Sequence, residues 1–476
     1  MTATGFFDRL KSALSARGRI CEVRLRETYR LGSSRVRVPY EGVPIGLRMA
    51  RAGIGLHIVP ELPLDASAGQ STPAFLLLDP NRQESGIAGF LRLTPGETLI
   101  LGRHDRWQSA LFDYPEVMGV RHLAITHDGG ALIFKALLSD CEIYLEPLPA
   151  EPVVERIAER RKEKLGKIRA LYGGPLEILS PEEALATLAE VNRLLETDPF
   201  RPLDDRGRPG GVLKPPQELT PIIVGDLHAQ VDNLLTLLTH NGFFDALEQG
   251  RAILIILGDA VHSEVDGRLD EMDSSLLMMD LILRLKLRFP RQLFYIRGNH
   301  DSFSDTVFKF GVAQCLQWEA TLRQRRGEPY LREMERFYRR LPYVVLSEGY
   351  AGCHAAPVKT RFDRDMLVNI HRHPGLVREL TRNRLRQRTN PAGYTKADVR
   401  HFRNTLNLPE DTPLFVSHSP LNREDAMWLE AGGIKNHHIV FSANTPWIGV
   451  FTRVGERMIP LRYRREELLP IINGLS

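Results

Sequence analysis

One local pattern recurs five times along this chain: a run of apolar residues ends in a short polar piece built from Asp, His or Asn. The pieces are Gly225-Asp226-Leu227-His228, Gly258-Asp259, Gly298-Asn299-His300-Asp301, Cys353-His354 and Ser417-His418. Apolar runs of this kind read as buried strands, so each piece falls where a strand gives way to a loop, the place where α/β sheets gather their ligands. Singly, a Gly-Asp pair is a common turn and a His after a strand is a common satisfied polar residue. Jointly, they call for strands laid side by side with their ends converging on one pocket.

The side chains that would converge suit two divalent cations. Asp226 and His228, two apart on one turn, offer an oxygen and an imidazole nitrogen to the same ion. Asp259, at the next strand end, can bridge two ions, and Asn299, His354 and His418 supply a neutral oxygen and two imidazoles to the second. Cations about 4 Å apart acidify a water between them and neutralise charge on a phosphoryl group, which favours in-line attack on phosphorus. His300, beside a ligand but not needed as one, is placed to protonate the leaving oxygen. Two divalent metal ions are therefore expected, and Mn, Fe and Zn all accept such a mixed oxygen and imidazole set.

At 476 residues the chain exceeds what one core fills, which predicts two domains and a connector. Sixty-three basic against fifty-nine acidic residues give a net charge of +4, too mild to demand a nucleic-acid or membrane partner. The four cysteines, Cys21, Cys141, Cys315 and Cys353, are widely spaced without a CxxC, which fits a reducing, cytoplasmic setting better than a disulfide framework. Residues 1–20 interleave Phe6, Phe7, Leu10 and Leu14 with Arg9, Lys11 and Arg17, as in a docked amphipathic segment rather than a signal peptide. No membrane span is expected.

Short alternating runs punctuated by Gly, Pro, Asn and Asp make residues 21–150 an expected all-β region, with Asp128-Gly129-Gly130 as the turn of a hairpin. Residues 151–214 read as a helical linker. Within it Ser180-Pro181-Glu182-Glu183 starts a helix that runs to about Glu196: Ser180 caps, Pro181 suits the first turn and Glu183 reaches back. Asp204–Pro216, rich in Gly, Pro and charge, is the expected domain boundary. From residue 215 to 476 strands alternate with helices, which predicts helices packed over a sheet. The stretches Phe303–Arg340 and Leu367–Phe402 are expected to be helical.

The five pieces in this order resemble the calcineurin-like metallophosphoesterases, specifically the PPP-type serine/threonine phosphatases, over residues 215–463. Gly225-Asp226-Leu227-His228-Ala229-Gln230 is similar to that family's first motif, with Ala229 for its glycine. Arg297-Gly298-Asn299-His300-Asp301 matches the third, with Asp301 where Glu is usual. The resemblance implies a calcineurin-like α/β phosphoesterase sandwich, Asp226, His228 and Asp259 on one metal, Asp259, Asn299, His354 and His418 on the other, and His300 as general acid. The second motif departs: after Gly258-Asp259-Ala260-Val261 the family's Asp-Arg-Gly is His262-Ser263-Glu264. The Asp would have oriented His300 and the Arg would have gripped phosphate in a bidentate fork. Asp301, Glu264 or Asp266 are candidates for the first role. Arg297 and the run Arg384, Arg386 and Arg388 are candidates for the second, although such a run is ordinarily a solvated helix face.

Leu99–Arg103, Val120–Ile125 and Leu138–Tyr144 resemble the ordered motifs of a forkhead-associated (FHA) domain over residues 75–149. In that family an Arg, a Ser and an Asn hold phosphothreonine; here Arg103 is kept, while Gly119 and Cys141 occupy the other two positions. His122 is expected to keep a structural role between loops. The overall expectation is an α+β multidomain protein: an N-terminal all-β FHA-like sandwich without phosphothreonine binding, a helical linker and a C-terminal hydrolase. Its substrate would be a phosphoprotein or another phosphoester, with a protein partner docking on the first domain. The alternatives are a nucleotide or dinucleoside polyphosphate hydrolase and, in a different class, a non-catalytic scaffold.

Overall fold

The structure, a computed structural model, describes residues 20–61, 74–83, 89–104, 114–138, 141–149, 151–265, 269–309, 311–443 and 446–475, together with Leu64, Ile87, Leu111 and Phe112. The expected amphipathic segment before Ile20 and the candidate Asp266 lie outside the described residues. Contacts divide the chain into two compact units, the residues up to Lys162 with Val454–Ile459, and Glu163–Arg453 with Pro460–Ser476.

From Ile20 to Pro147 the described residues of the first unit are rich in strands, as their alternating sequence predicts. One five-stranded sheet runs in the order Ile20–Glu22, Arg35–Pro39, Ala131–Ala136, Leu123–His127, Thr98–Leu101; a six-stranded sheet runs Tyr29–Arg30, Ile143–Pro147, Ile45–Met49, Ile54–Glu61, Ala74–Leu78, Phe90–Leu93. Val36, Val38, Leu132, Phe134, Leu123 and Ile125 alternate into the core of the unit with partly exposed neighbours, the period-2 signature of a half-buried sheet. The hairpin at 128–130 forms as expected: Leu132 pairs with His127, and the Asp128 N–H donates to the Ala131 carbonyl at 2.8 Å.

The helix Pro181–Glu196 has the start its sequence announces. Ser180 accepts from the Glu183 N–H, and the Glu183 carboxylate accepts from the Ser180 N–H, a complete capping box with Pro at the first turn. Its apolar face, Ala184, Leu188, Val191 and Leu195, is buried, and it packs on the helices Asp273–Arg288 and Glu328–Arg340. The region expected to be a linker thus belongs to the second unit from Glu163 onward. The expected boundary Asp204–Pro216 differs in the same way, because Val212–Leu213 pairs in parallel with Val344–Val345 and becomes a sheet edge. The buried Arg201 side chain fixes this aperiodic stretch by donating to the carbonyls of Pro209 and Gly210. Ordering here comes from a buried side chain just upstream and from pairing with Val344–Val345, neither of which periodicity can reveal.

Two sheets organise the second unit. The five-stranded one has the order Leu293–Tyr295, Ala252–Ile256, Thr220–Val224, Trp447–Val454, Arg457–Arg464; the first three strands are parallel. The six-stranded one runs Val212–Leu213, Val344–Leu346, Ala351–Cys353, Leu414–Val416, His437–Val440, Met427–Trp428. Thr220–Val224 and Ala252–Ile256 are buried almost throughout, which explains their unbroken apolar runs. The helical expectation over Phe303–Arg340 holds only from Gln314; before it Phe308–Lys309 pairs with Val312–Ala313 as a small hairpin. Leu367–Phe402 likewise divides into the short helices Arg364–Val368, Pro374–Arg382 and Lys396–Thr405, and Arg384, Arg386 and Arg388 stand on the connecting loop rather than on a helix face. Among the described residues, no helix is long and apolar enough to cross a membrane.

Candidate metal centre

All five polar pieces end strands of the second unit and meet where its two sheets touch. Asp226, just past Thr220–Val224, forms a parallel bridge with Phe441 at the end of His437–Val440, linking one sheet to the other. The glycines before Asp259 and Asn299 have a steric cause. Gly258 has a φ of 98°, and an added Cβ would stand 2.7 Å from the Gly298 nitrogen; a Cβ on Gly298 would stand 2.1 Å from Asp259 Oδ1. The two ligand loops therefore touch through bare backbone, which no side chain permits.

Three of the predicted ligands sit in the left-handed backbone region, His228 at φ 40°, Asp259 at 51° and His418 at 63°, joined by Ala229 at 59° and His262 at 69°. Non-glycine residues pay roughly 1–3 kcal/mol each for such conformations, and these cluster where packing over-determines them. Ala229, standing where the related motif has glycine, bears this strain directly.

The side chains are buried and close. His354 Nε2 lies 3.0 Å from Asn299 Oδ1, 3.2 Å from His418 Nδ1 and 3.2 Å from Asp259 Oδ2. His228 Nε2 lies 3.6 Å from Asp226 Oδ2 and 3.4 Å from Glu264 Oε1. The candidate ligand atoms of Asp226, His228 and Asp259 fall within 4.8 Å of one another, and so do those of Asp259, His354 and His418. Asp259 belongs to both groups. The ring nitrogens facing away are tethered: His354 Nδ1 is 2.7 Å from the Leu257 carbonyl and His228 Nδ1 is 3.2 Å from that of Val261, which sets the tautomer that leaves Nε2 free. Ser417 donates its hydroxyl to Asp226 Oδ1, while the Asp226 N–H donates to Ser417 Oγ at 2.9 Å.

Charge balance favours cations here. Asp226 Oδ2 and Asp259 Oδ2 are buried without a hydrogen-bond partner, a costly condition for carboxylates unless a positive charge faces them. Burial works against a charged His354, yet the Asp259 and Asp226 carboxylates raise its pKa well above the usual range. His228 behaves likewise: burial opposes charge, but Glu264 and Asp226 lift it to about 9. In both cases a proton occupies the electrostatic place of a metal ion, and binding of metal would release it. The oxygen and imidazole donors present thus fit two divalent ions.

His300 lies within the same buried cluster, its N–H donating to Asp259 Oδ1 at 2.8 Å. Its ring is not oriented by Asp301. That carboxylate accepts from the Tyr295 hydroxyl at 2.7 Å and from the N–H groups of Gly298 and Asp259, so it braces the loop. Glu264 faces His228 instead. The partner of the His300 ring is His262, with the two Nδ1 atoms 3.0 Å apart. Burial, aided by the charge of His228, depresses His262 to about 3, so it is a neutral imidazole whose Nδ1 can accept the Nδ1–H of a protonated His300 and leave the Nε2–H of that ring to be donated. The sequence marked His262 only as a departure from a motif; its role follows from the loop that turns it back on His300.

The arginine candidates separate. Arg384 Nη1 reaches the His418 carbonyl at 3.3 Å and Ser419 Oγ at 3.4 Å, and its charge, after burial, helps depress the His418 pKa. Arg297 donates to the Tyr343 hydroxyl at 2.7 Å and stacks over that ring, beside Gly298 and Asn299. Arg388 is exposed, and among the described residues no side-chain hydrogen bond or ion pair holds it near the centre. In the first unit, Arg103 Nε donates to the Met118 carbonyl at 2.7 Å. His122 is buried and accepts from the Gly119 N–H at 3.4 Å, which ties two loops together.

Residues 219–443 match the calcineurin-like phosphoesterase family. Among solved structures, the chain is similar to a protein serine/threonine phosphatase from Saccharomyces cerevisiae described as similar to human phosphatase PP5, with 18% identity and a TM-score of 0.45 over 61% of this chain and 91% of that one. It is also similar to the cold-active protein-tyrosine phosphatase of a psychrophilic Shewanella, with 12% identity and a TM-score of 0.33 over 54% of this chain and 82% of that one.

Proposed function

Since residues 219–443 carry a calcineurin-like metallophosphoesterase domain, we propose that the protein is a metal-dependent phosphomonoesterase of the PPP-like serine/threonine protein phosphatase type. The observation that supports this most is the pair of buried ligand groups sharing Asp259, with the His300 ring 5.3 Å from that of His228. Asp226, His228 and Asp259 would hold one divalent cation, and Asp259, Asn299, His354 and His418 the other. Such ions supply Lewis acidity, neutralising charge on the phosphoryl group and acidifying water.

The residues of the chain do the rest. As an imidazolium, His300 would give its Nε2 proton to the leaving oxygen and return to neutral imidazole, while His262 holds its Nδ1–H from behind. Arg297 and Arg384 hold the phosphate in place of the missing motif arginine. In the first unit the FHA-like sandwich serves as a docking module: Arg103 is spent on its own loop, and Gly119 and Cys141 offer no hydroxyl or amide to a phosphothreonine peptide. A non-catalytic scaffold is disfavoured, because a decayed centre would not keep two buried groups of carboxylate and imidazole donors sharing Asp259.

The test is a screen of the full chain with added manganese against p-nitrophenyl phosphate, phosphoserine and phosphothreonine peptides, and nucleotides. Hydrolysis of the peptides, abolished by chelator and restored by metal, is expected. Hydrolysis of nucleotides alone would move the assignment to the nucleotide branch, and failure to cleave any phosphoester by metal-loaded protein would end the enzymatic reading. Replacing His262 by alanine is expected to lower kcat about tenfold, with metal content unchanged and His262→Asp restoring much of it, since either residue can hold the His300 ring by a hydrogen bond.

A further inference from the structure

Beside Asn299 lies a cleft of about 410 Å³ whose walls include Arg297, Ser304, Thr306, Arg378 and Arg382, and no Asp or Glu lines it among the described residues. Arg378 and Arg382 are i,i+4 neighbours on Pro374–Arg382, so the helix presents two like charges on one face, an arrangement that is unfavourable by itself. Helix polarity favours Arg382, which ends the helix, but gives no reason for Arg378 a turn earlier. The acid between them is committed elsewhere: Glu379 accepts from the N–H groups of Lys359 and Thr360 and from the Thr360 hydroxyl. No ion pair joins a carboxylate to Arg378 or Arg382 among the described residues. Among the described residues Arg382 donates to Ser304 Oγ at 3.4 Å, and Ser304 Oγ in turn meets Thr306 Oγ1 at 2.7 Å.

We propose that this cleft is a second anion subsite, which takes a further phosphate group of the substrate while the scissile one lies at the metal centre. The inference rests on the phosphoesterase reading and deepens it by naming the substrate class: phosphoesters that carry a second phosphate close to the first. Guanidinium pairs with flanking hydroxyls match the tetrahedral oxygens of a phosphate, and the like-charge pair is relieved when an anion enters. In a protein substrate this corresponds to two phosphorylated residues one to three positions apart, at roughly 3.4 Å per extended residue.

The experiment compares the full chain with its Arg378→Ala/Arg382→Ala variant, both loaded with manganese. Substrates are a phosphothreonine peptide, the same peptide with a second phosphoserine one, two or three residues away, and fructose 1,6-bisphosphate against fructose 6-phosphate. The wild type is expected to prefer a doubly phosphorylated partner by about tenfold or more in kcat/KM, as charge-assisted hydrogen bonds allow. The variant should lose that preference and keep its rate on singly phosphorylated substrate. Preference confined to the peptide or to the sugar arm identifies the source of the second phosphate. Equal use of single and double phosphates, or a preference that survives the double substitution, overturns the subsite. Calorimetric titration of the same peptides into the His300→Ala protein, with and without the two arginines, decides the question by binding alone, so a failure of hydrolysis and a failure of the subsite are told apart.

Discussion

Replacing Asp259 by alanine is expected to deplete both cations and to lower turnover on the order of a thousandfold or more, because this carboxylate alone belongs to both ligand groups. It also accepts the His300 N–H, so its loss loosens the general acid as well. Elemental analysis of purified protein gives the direct readout: wild type should retain about two ions per chain after dialysis against manganese, and the variant close to none. Removing His418 should take one ion and leave the group of Asp226, His228 and Asp259 intact. Two ions retained by the Asp259 variant would show that the shared-carboxylate arrangement is wrong.

The second large effect is chemical rather than structural. His300→Ala should reduce kcat about a hundredfold to ten-thousandfold while leaving the metal content as in wild type, since proton donation to the leaving oxygen is lost and no ligand is touched. The deficit should shrink for p-nitrophenyl phosphate, whose leaving group needs little protonation, and remain full for phosphoserine peptides. A variant equally impaired on both substrates would point to lost positioning instead. The contrast with His262→Ala, expected at about tenfold, separates a residue that transfers the proton from one that holds it.

Much of the fold could be read from local pattern. The capping box at Ser180 and Glu183, the 128–130 hairpin and the buried strands at 220–224 and 252–256 all arise where near neighbours in sequence fix the conformation. Expectation and structure part where distant contacts govern. Asp204–Pro216 reads as a connector yet contains a strand paired with Val344–Val345. The Phe308–Ala313 hairpin interrupts an expected helix. The basic run after Arg382 reads as a helix face yet is a loop that delivers Arg384, not Arg388, to His418.

The centre divides along the same line. By itself the sequence determined the candidate ligands, because oxygen and imidazole donors at successive strand ends carry their chemistry in residue type and in the periodicity that precedes them. Tertiary structure alone decided who touches whom: that His262 rather than Asp301 backs His300, that Asp301 braces the loop through Tyr295, and that Arg378 and Arg382 face a polar cleft without a carboxylate. Those choices depend on where loops of widely separated strands fold back in space, a long-range outcome of packing that short patterns along the chain do not encode.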